Sequence, residues 1–171
     1  MENIGEIKIY VACLASYNNS ILHGAWIDAD QDPYDIWQEV SAMLAASPIE
    51  NAEEWAIHDY EGFEGVPISE YQGFDSVSEI AAFIAEHGAL GGKLLEYYND
   101  LDDAKKAIGE QYAGEYESLS DFAQEITEQS ATIPDNLAYY IDYEKMARDL
   151  EINDVLTIET SHDQVHVFWA F

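Results

Sequence analysis

The sequence predicts an α+β protein made of three small domains in an elongated chain. These are an N-terminal α+β domain with an antiparallel sheet over residues 1–72, a central all-helical domain over 73–108, and a C-terminal α+β domain with antiparallel strands over 109–171. Three observations predict this. Short apolar runs rich in β-branched residues, separated by turn residues, stand near both ends of the chain, as hairpins require. Between them, apolar residues recur at three- and four-residue spacing, the period of an amphipathic helix. Breaks containing several glycines, at 62–73 and 109–114, divide these groups.

Ile7 to Leu14 (IKIYVACL) is the first apolar run. Tyr17-Asn18-Asn19-Ser20 then supplies turn chemistry, and Ile21 to Asp28 (ILHGAWID) returns as an antiparallel partner. Asp32 before Pro33 reads as an N-cap with proline at the first helical position, where its missing N–H costs nothing. Ile36, Val40, Met43 and Leu44 follow at helical spacing beside Trp37, so a helix runs from about Pro33 to Ala46, and Ser47-Pro48 ends it. Glu53 to Tyr60 (EEWAIHDY) reads as a third strand with Trp55 and Ile57 on one face.

After the loop at 62–73, Ser76-x-x-Glu79 has the form of a capping box ahead of Val77, Ile80, Ala81 and Ile84, with Gly88 as the stop after His87. Gly91-Gly92 then separates a second short helix, from about Lys93 to Tyr98, and Asn99 or Asp100 caps a third to about Ile108. Beyond 109–114, Ser118 to Gln129 is helical, with Leu119, Phe122, Ala123 and Ile126 on one side. Pro134 opens another helical stretch, and Asp142 caps a last helix through Leu150. Val155 to Thr160 and Val165 to Phe171, joined by Ser161-His162-Asp163, form a terminal hairpin.

Charge organises this chain more than any motif does. Of 171 residues, 35 are Asp or Glu and six are Lys or Arg, giving a formal net charge of −29. The eighty-four residues between Lys8 and Lys93 hold fifteen acids and no Lys or Arg, and Ala107 to Glu144 adds nine acids and again no base. Yet 48% of residues are hydrophobic and 13% aromatic, ample for packed cores and unlike a disordered acidic tail. Self-repulsion at this density costs stability, so the charge is expected to serve a basic partner. Cys13 has no second cysteine to pair with, which suits a reducing compartment. Met1 to Lys8 lacks a basic leader, and no apolar run approaches a membrane span, so a cytoplasmic protein without membrane association is expected.

Several chemical motifs begin in this sequence and break off. Asp28-x-Asp30-x-Asp32 with Glu39 at the twelfth position has calcium-loop spacing, but Pro33 stands where glycine must turn, so an acidic loop leading into a helix cap is expected. His87 to Lys93 (HGALGGK) lacks the first glycine and the final Ser or Thr of a phosphate loop. His162 and His166, four apart along a hairpin, are separated by roughly 13 Å at strand rise, too far to share a metal. His58-Asp59 has no nucleophile setting beside it, and Cys13 lies in an apolar strand where a thiol is inert. With 35 acids, close carboxylate pairs arise by chance, and no catalytic residue is singled out.

The stretch Leu137-Ala-Tyr-Tyr140-Ile141-Asp142-Tyr143-Glu-Lys-Met-Ala-Arg148-Asp149-Leu150 closely resembles the signature of the ArdA family of antirestriction proteins. Three further stretches support the resemblance in the same order: IYVACLASYNNSILHGAWID near the N-terminus, Trp55 to Glu61, and the hairpin after Glu159. The likeness spans nearly the whole chain, and from Phe63 to about Gln129 it rests on helical character and acidity.

This resemblance implies a non-enzymatic inhibitor carried by mobile DNA. Such a protein mimics bent B-form DNA and occupies the DNA-binding groove of type I restriction-modification enzymes, with no cofactor, no metal and no nucleic acid of its own. It also implies elongated homodimers of three-domain subunits joined through the C-terminal domain. Duplex DNA carries one charge per about 1.7 Å of axis, so a subunit's net charge corresponds to roughly 50 Å of duplex and a dimer's to roughly 100 Å. The acids expected to form the partner-binding surface are Asp28, Asp30, Asp32, Asp35, Glu61, Glu64, Glu70, Glu79, Glu86, Glu110, Glu115 and Glu117. The dimer interface is expected at Tyr139, Tyr140, Tyr143 and Met146, where Lys145 and Arg148 would relieve repulsion between two copies. Acidity alone leaves two other readings open: an acidic chaperone or inhibitor of another basic DNA-binding protein, and adaptation to a salt-saturated cytoplasm.

Overall fold

In the computed structural model, which describes residues 5–170, Ile9, Val11 and Cys13 alternate along strand β1 (Lys8–Cys13) and are fully buried. That strand is the middle of an antiparallel sheet of order β2-β1-β3, with β2 at Gly24–Asp28 and β3 at Trp55–Glu61. Helix α2 (Pro33–Ala45) starts as its sequence dictates: the Asp32 carboxylate accepts the Tyr34 N–H at 2.8 Å, with Pro33 next. Ile36, Val40, Met43 and Leu44 form its buried stripe, and it packs on β1 and β2. The link between β1 and β2 holds one helical turn, α1 (Leu14–Asn18), before the tight turn at Asn19-Ser20. It is anchored by fully buried Ser16, whose hydroxyl lies 2.9 Å from that of Ser47.

A second antiparallel sheet has the order β4-β6-β5, with β4 at Tyr112–Tyr116, β5 at Val155–Ser161 and β6 at Gln164–Trp169. Helices α5 (Leu119–Ser130) and α7 (Tyr143–Asn153) pack on each other, and Phe122, Val155 and Val167 form a core with Ile126, Leu150 and Trp169 around it. Ser118 caps α5 and Asp142 caps α7, each accepting the N–H three residues on. Between them lies the one-turn α6 (Asp135–Ala138). The described chain is thus mixed α+β with seven helices and two small antiparallel sheets, in two compact units, Met1–Gly92 and Lys93–Phe171. The expected division at 72 and 108 is finer than these two units. Expectations touching residues 1–4, and the strand end at Phe171, lie outside the described residues.

Four local expectations need correction. Helix α3 (Phe74–Tyr98) begins two residues before Ser76, so Ser76 is not a cap; Gly73 offers its carbonyl to Val77, and the Ser76 hydroxyl instead accepts Gln72 Nε2 at 2.9 Å. Gly88 does interrupt this helix, with φ 60° and ψ −139°, but Gly91 and Gly92 lie inside the helical segment that follows. A Cβ at Gly92 would stand 2.7 Å from the Glu64 carbonyl oxygen, so close packing, not helix breaking, accounts for this glycine. The third helical piece, α4 (Leu101–Lys106), is capped by Asp100 and passes into a π-helical turn, Ala107–Gln111, rather than ending near Ile108. The break at 109–114 then contains the start of strand β4, which the sequence reading missed. In β3, Trp55 and Ile57 share a face in regular register with β1, and His58 is an extra residue between the pairs Tyr10↔Asp59 and Val11↔Ile57.

Candidate acidic interface

All twelve acids expected at a partner surface are exposed. Asp28 ends β2, Asp30 and Asp32 lie in the loop to α2, and Asp35 stands in its first turn. Glu61 ends β3, Glu64 and Glu70 lie in the loop after it, and Glu79 and Glu86 are on α3. Those nine belong to the unit Met1–Gly92. Glu110, Glu115 and Glu117, in the π turn, in β4 and just past it, belong to Lys93–Phe171. The exposure is general: every described Asp and Glu is exposed except half-buried Asp154. Some are already engaged with backbone. Asp28 Oδ1 accepts the Asp30 N–H at 2.9 Å, and Asp32, Asp100 and Asp142 cap helices. The loop with calcium-like spacing therefore turns two carboxylates on its own backbone, and Glu39 accepts from Gln31.

Positive charge barely offsets this field. Lys8 Nζ lies 3.4 Å from Glu61 and 3.8 Å from Glu6, and 5.2 Å from the centre of the Trp26 ring. Among the described residues no carboxylate pairs with Lys93, Lys105, Lys106, Lys145 or Arg148. A cavity of about 450 Å³ opens beside Lys8, lined by Trp26, Asp28 and Asp30 among others. A shallower groove of about 510 Å³ is lined by Tyr17, Ile57, His58, Tyr60, Ile68 and Glu70. Nothing in the sequence sets Tyr17 or Tyr60 apart as site residues. They come from α1 and β3, and no spacing in the sequence relates them to Glu70.

Other titratable groups are occupied. His166 lies 2.8 Å from the Tyr112 hydroxyl and 3.3 Å from that of Thr160, and burial holds it below its ordinary value against the pull of its cross-strand neighbour Glu115. Burial pushes the Tyr112 phenol up. Burial, with a hydrogen bond to Glu125, pushes Tyr116 up to about 12. Burial alone would raise the Cys13 thiol, but hydrogen bonds with Ser16, Ser47 and the backbone hold it below its ordinary value. Among the described residues no group of three or more His, Cys, Asp or Glu is placed to hold a metal ion. No helix there is long and apolar enough to cross a membrane.

The four residues expected at a dimer contact differ in exposure. Tyr139 is 90% and Tyr140 79% exposed, their rings edge-to-face at 5.7 Å. Tyr143 and Met146 are half-buried on α7.

No curated protein matches this chain. The sequence model of the family described as "Antirestriction protein (ArdA)" matches residues 9–164, which takes in all twelve acids expected at the partner surface. The chain belongs to the ArdA family of antirestriction proteins.

Proposed function

We propose that this protein inhibits a type I restriction-modification enzyme by occupying its DNA-binding groove as a mimic of bent B-form DNA, and that it catalyses no reaction. The supporting observation is the separation of charge from core: nearly every described carboxylate faces solvent, and among the described residues Lys8 is the one Lys or Arg paired with acids. A groove built to bind phosphates presents Lys and Arg, and these would meet carboxylates of the same sign as the phosphates they ordinarily hold. The match in density is partial. Asp75, Glu79 and Glu86 follow one face of α3 at intervals of roughly 6 Å and 10 Å, whereas one DNA strand places a phosphate every 3.4 Å or so of axis. Binding should therefore weaken as salt rises, but less steeply than DNA binding does. No single exposed acid dominates such a surface, because rim charges contribute modestly and are screened.

On this reading the protein works in the cytoplasm as a homodimer joined near Tyr139, Tyr140, Tyr143 and Met146, with domains at 1–72, 73–108 and 109–171. The test is displacement of labelled DNA from the methylation core of a type I enzyme at several salt concentrations, with a type II endonuclease as control. Competitive displacement that weakens with salt is expected. Binding alongside DNA, or equal inhibition of the control, would point to a general acidic chaperone; displacement of nothing would point to adaptation to high salt.

A further inference from the structure

The unit Met1–Gly92 holds two hollows with the same components, a carboxylate beside exposed aromatic rings. One is already filled by a cation: Lys8 sits 5.2 Å over Trp26 and 3.4 Å from Glu61. The other holds no Lys or Arg among the described residues. There Tyr17 and Tyr60, 53% and 37% exposed, stand with Glu70 over buried Ile57 and Ile68. Among the described residues the Glu70 carboxylate pairs with the ring of His58, at 3.7 Å, and with no Lys or Arg. We propose that this groove receives an arginine side chain from the basic partner, which stacks on tyrosine and pairs with Glu70. The proposal rests on the partner class argued above and adds to it a discrete anchor within an otherwise diffuse surface.

The groove is held in shape before any partner arrives. The Glu70 carbonyl accepts the Ile57 N–H at 2.8 Å, which pins the loop to β3 beside the bulge at His58. Tyr17 follows buried Ser16 in α1, and its ring meets that of His58 edge-on at 4.8 Å. A guanidinium fits this set better than an ammonium: it is planar, stacks on an aromatic face and still directs N–H groups at a carboxylate, whereas lysine is a compact, strongly hydrated point charge. The rest of the unit offers no competitor, since Lys8 is the one Lys or Arg between residues 1 and 92 and is engaged elsewhere.

Two measurements test this. Binding to the type I methylation core is compared for wild type, Tyr17→Ala, Tyr17→Phe, Glu70→Gln and Tyr71→Ala, the last changing an exposed tyrosine outside the groove. Tyr17→Ala and Glu70→Gln should each weaken binding about tenfold, Tyr17→Phe and Tyr71→Ala less than about threefold, and the Tyr17→Ala, Glu70→Gln pair by clearly less than the product, because both hold one guanidinium. If wild type binds and the groove variants lose no more than Tyr71→Ala, the anchor is wrong while DNA mimicry stands. The second measurement needs no enzyme: arginine amide titrated into the protein should shift the Tyr17 and Tyr60 ring resonances more than lysine amide does. Equal perturbation by both, or none, would overturn the assignment even if mimicry itself holds.

Discussion

Lys8 and Glu61 are neighbours across β1 and β3, with Lys8 Nζ 3.4 Å from the Glu61 carboxylate and Asp28 facing Lys8 from the opposite strand. Replacing Lys8 by glutamine leaves a row of acids with no counter-charge. Each partly exposed pair contributes at most about 1 kcal/mol, so Lys8→Gln should cost about 0.5–2 kcal/mol. Because salt screens the residual repulsion, the deficit should shrink as salt is raised. Urea unfolding at low and high salt checks both. An unchanged midpoint at low salt would show that Lys8 does nothing for the fold.

Gly92→Ala pits two effects of opposite sign against each other. Helix propensity favours alanine by about 1 kcal/mol. Against it, the new Cβ would stand 2.5 Å from Glu64 Cβ and 2.7 Å from the Glu64 carbonyl oxygen, and backbone cannot swing aside as a side chain can. Overpacking of this kind costs about 1–3 kcal/mol, so net destabilisation is expected. A thermal melt decides, and a raised midpoint would show that the 63–65 loop yields readily.

On the proposed homodimer, Tyr139→Ala with Tyr143→Ala should shift the protein toward monomer in sedimentation velocity. Tyr139, 90% exposed, offers a large ring to a partner copy and little to its own chain. Unaltered sedimentation would place the contact between copies elsewhere.

Tyr116 gives a pH signature. Burial, and the hydrogen bond to Glu125 second, push its phenol from 10.0 up to about 12. The neutral form is thus favoured in the folded state, so its stabilisation is fully present below the unfolded value and is lost as pH rises through the folded one. Absorbance titration of wild type minus Tyr116→Phe should show a phenol ionising near pH 12. A difference curve centred near pH 10 would contradict the burial and the Glu125 bond.

What could be read from the sequence follows how local each signal is. The Asp32-Pro33 start, the Asp142 cap and the terminal hairpin depend on residues within a few positions, and the structure has them where the sequence puts them. Exposure of the twelve acids was equally legible, since an unpaired carboxylate has nowhere else to go. Strand β4 was hidden because Gly109 and Gly114 read as punctuation; Gly114, at φ 137°, in fact sits at a bulge where β4 pairs with β6. Gly92 misled for a related reason, its partner Glu64 being remote in sequence. The groove around Glu70 brings together three segments whose only link is the folded backbone.

Apart from the aspartates that cap helices, the acids of this chain hold little up: among the described residues none is buried, and the cores are made by residues such as Ile9, Val40, Phe122 and Val167. The molecule is therefore written in two nearly independent layers. A carboxylate moved one position along an exposed helical face leaves the packing beneath it untouched and the total charge the same. Apart from the proposed anchor at Glu70, sequence drift in this outer layer would be constrained by a sum rather than by addresses, so two such proteins could present equivalent fields while sharing few of the acids that produce them.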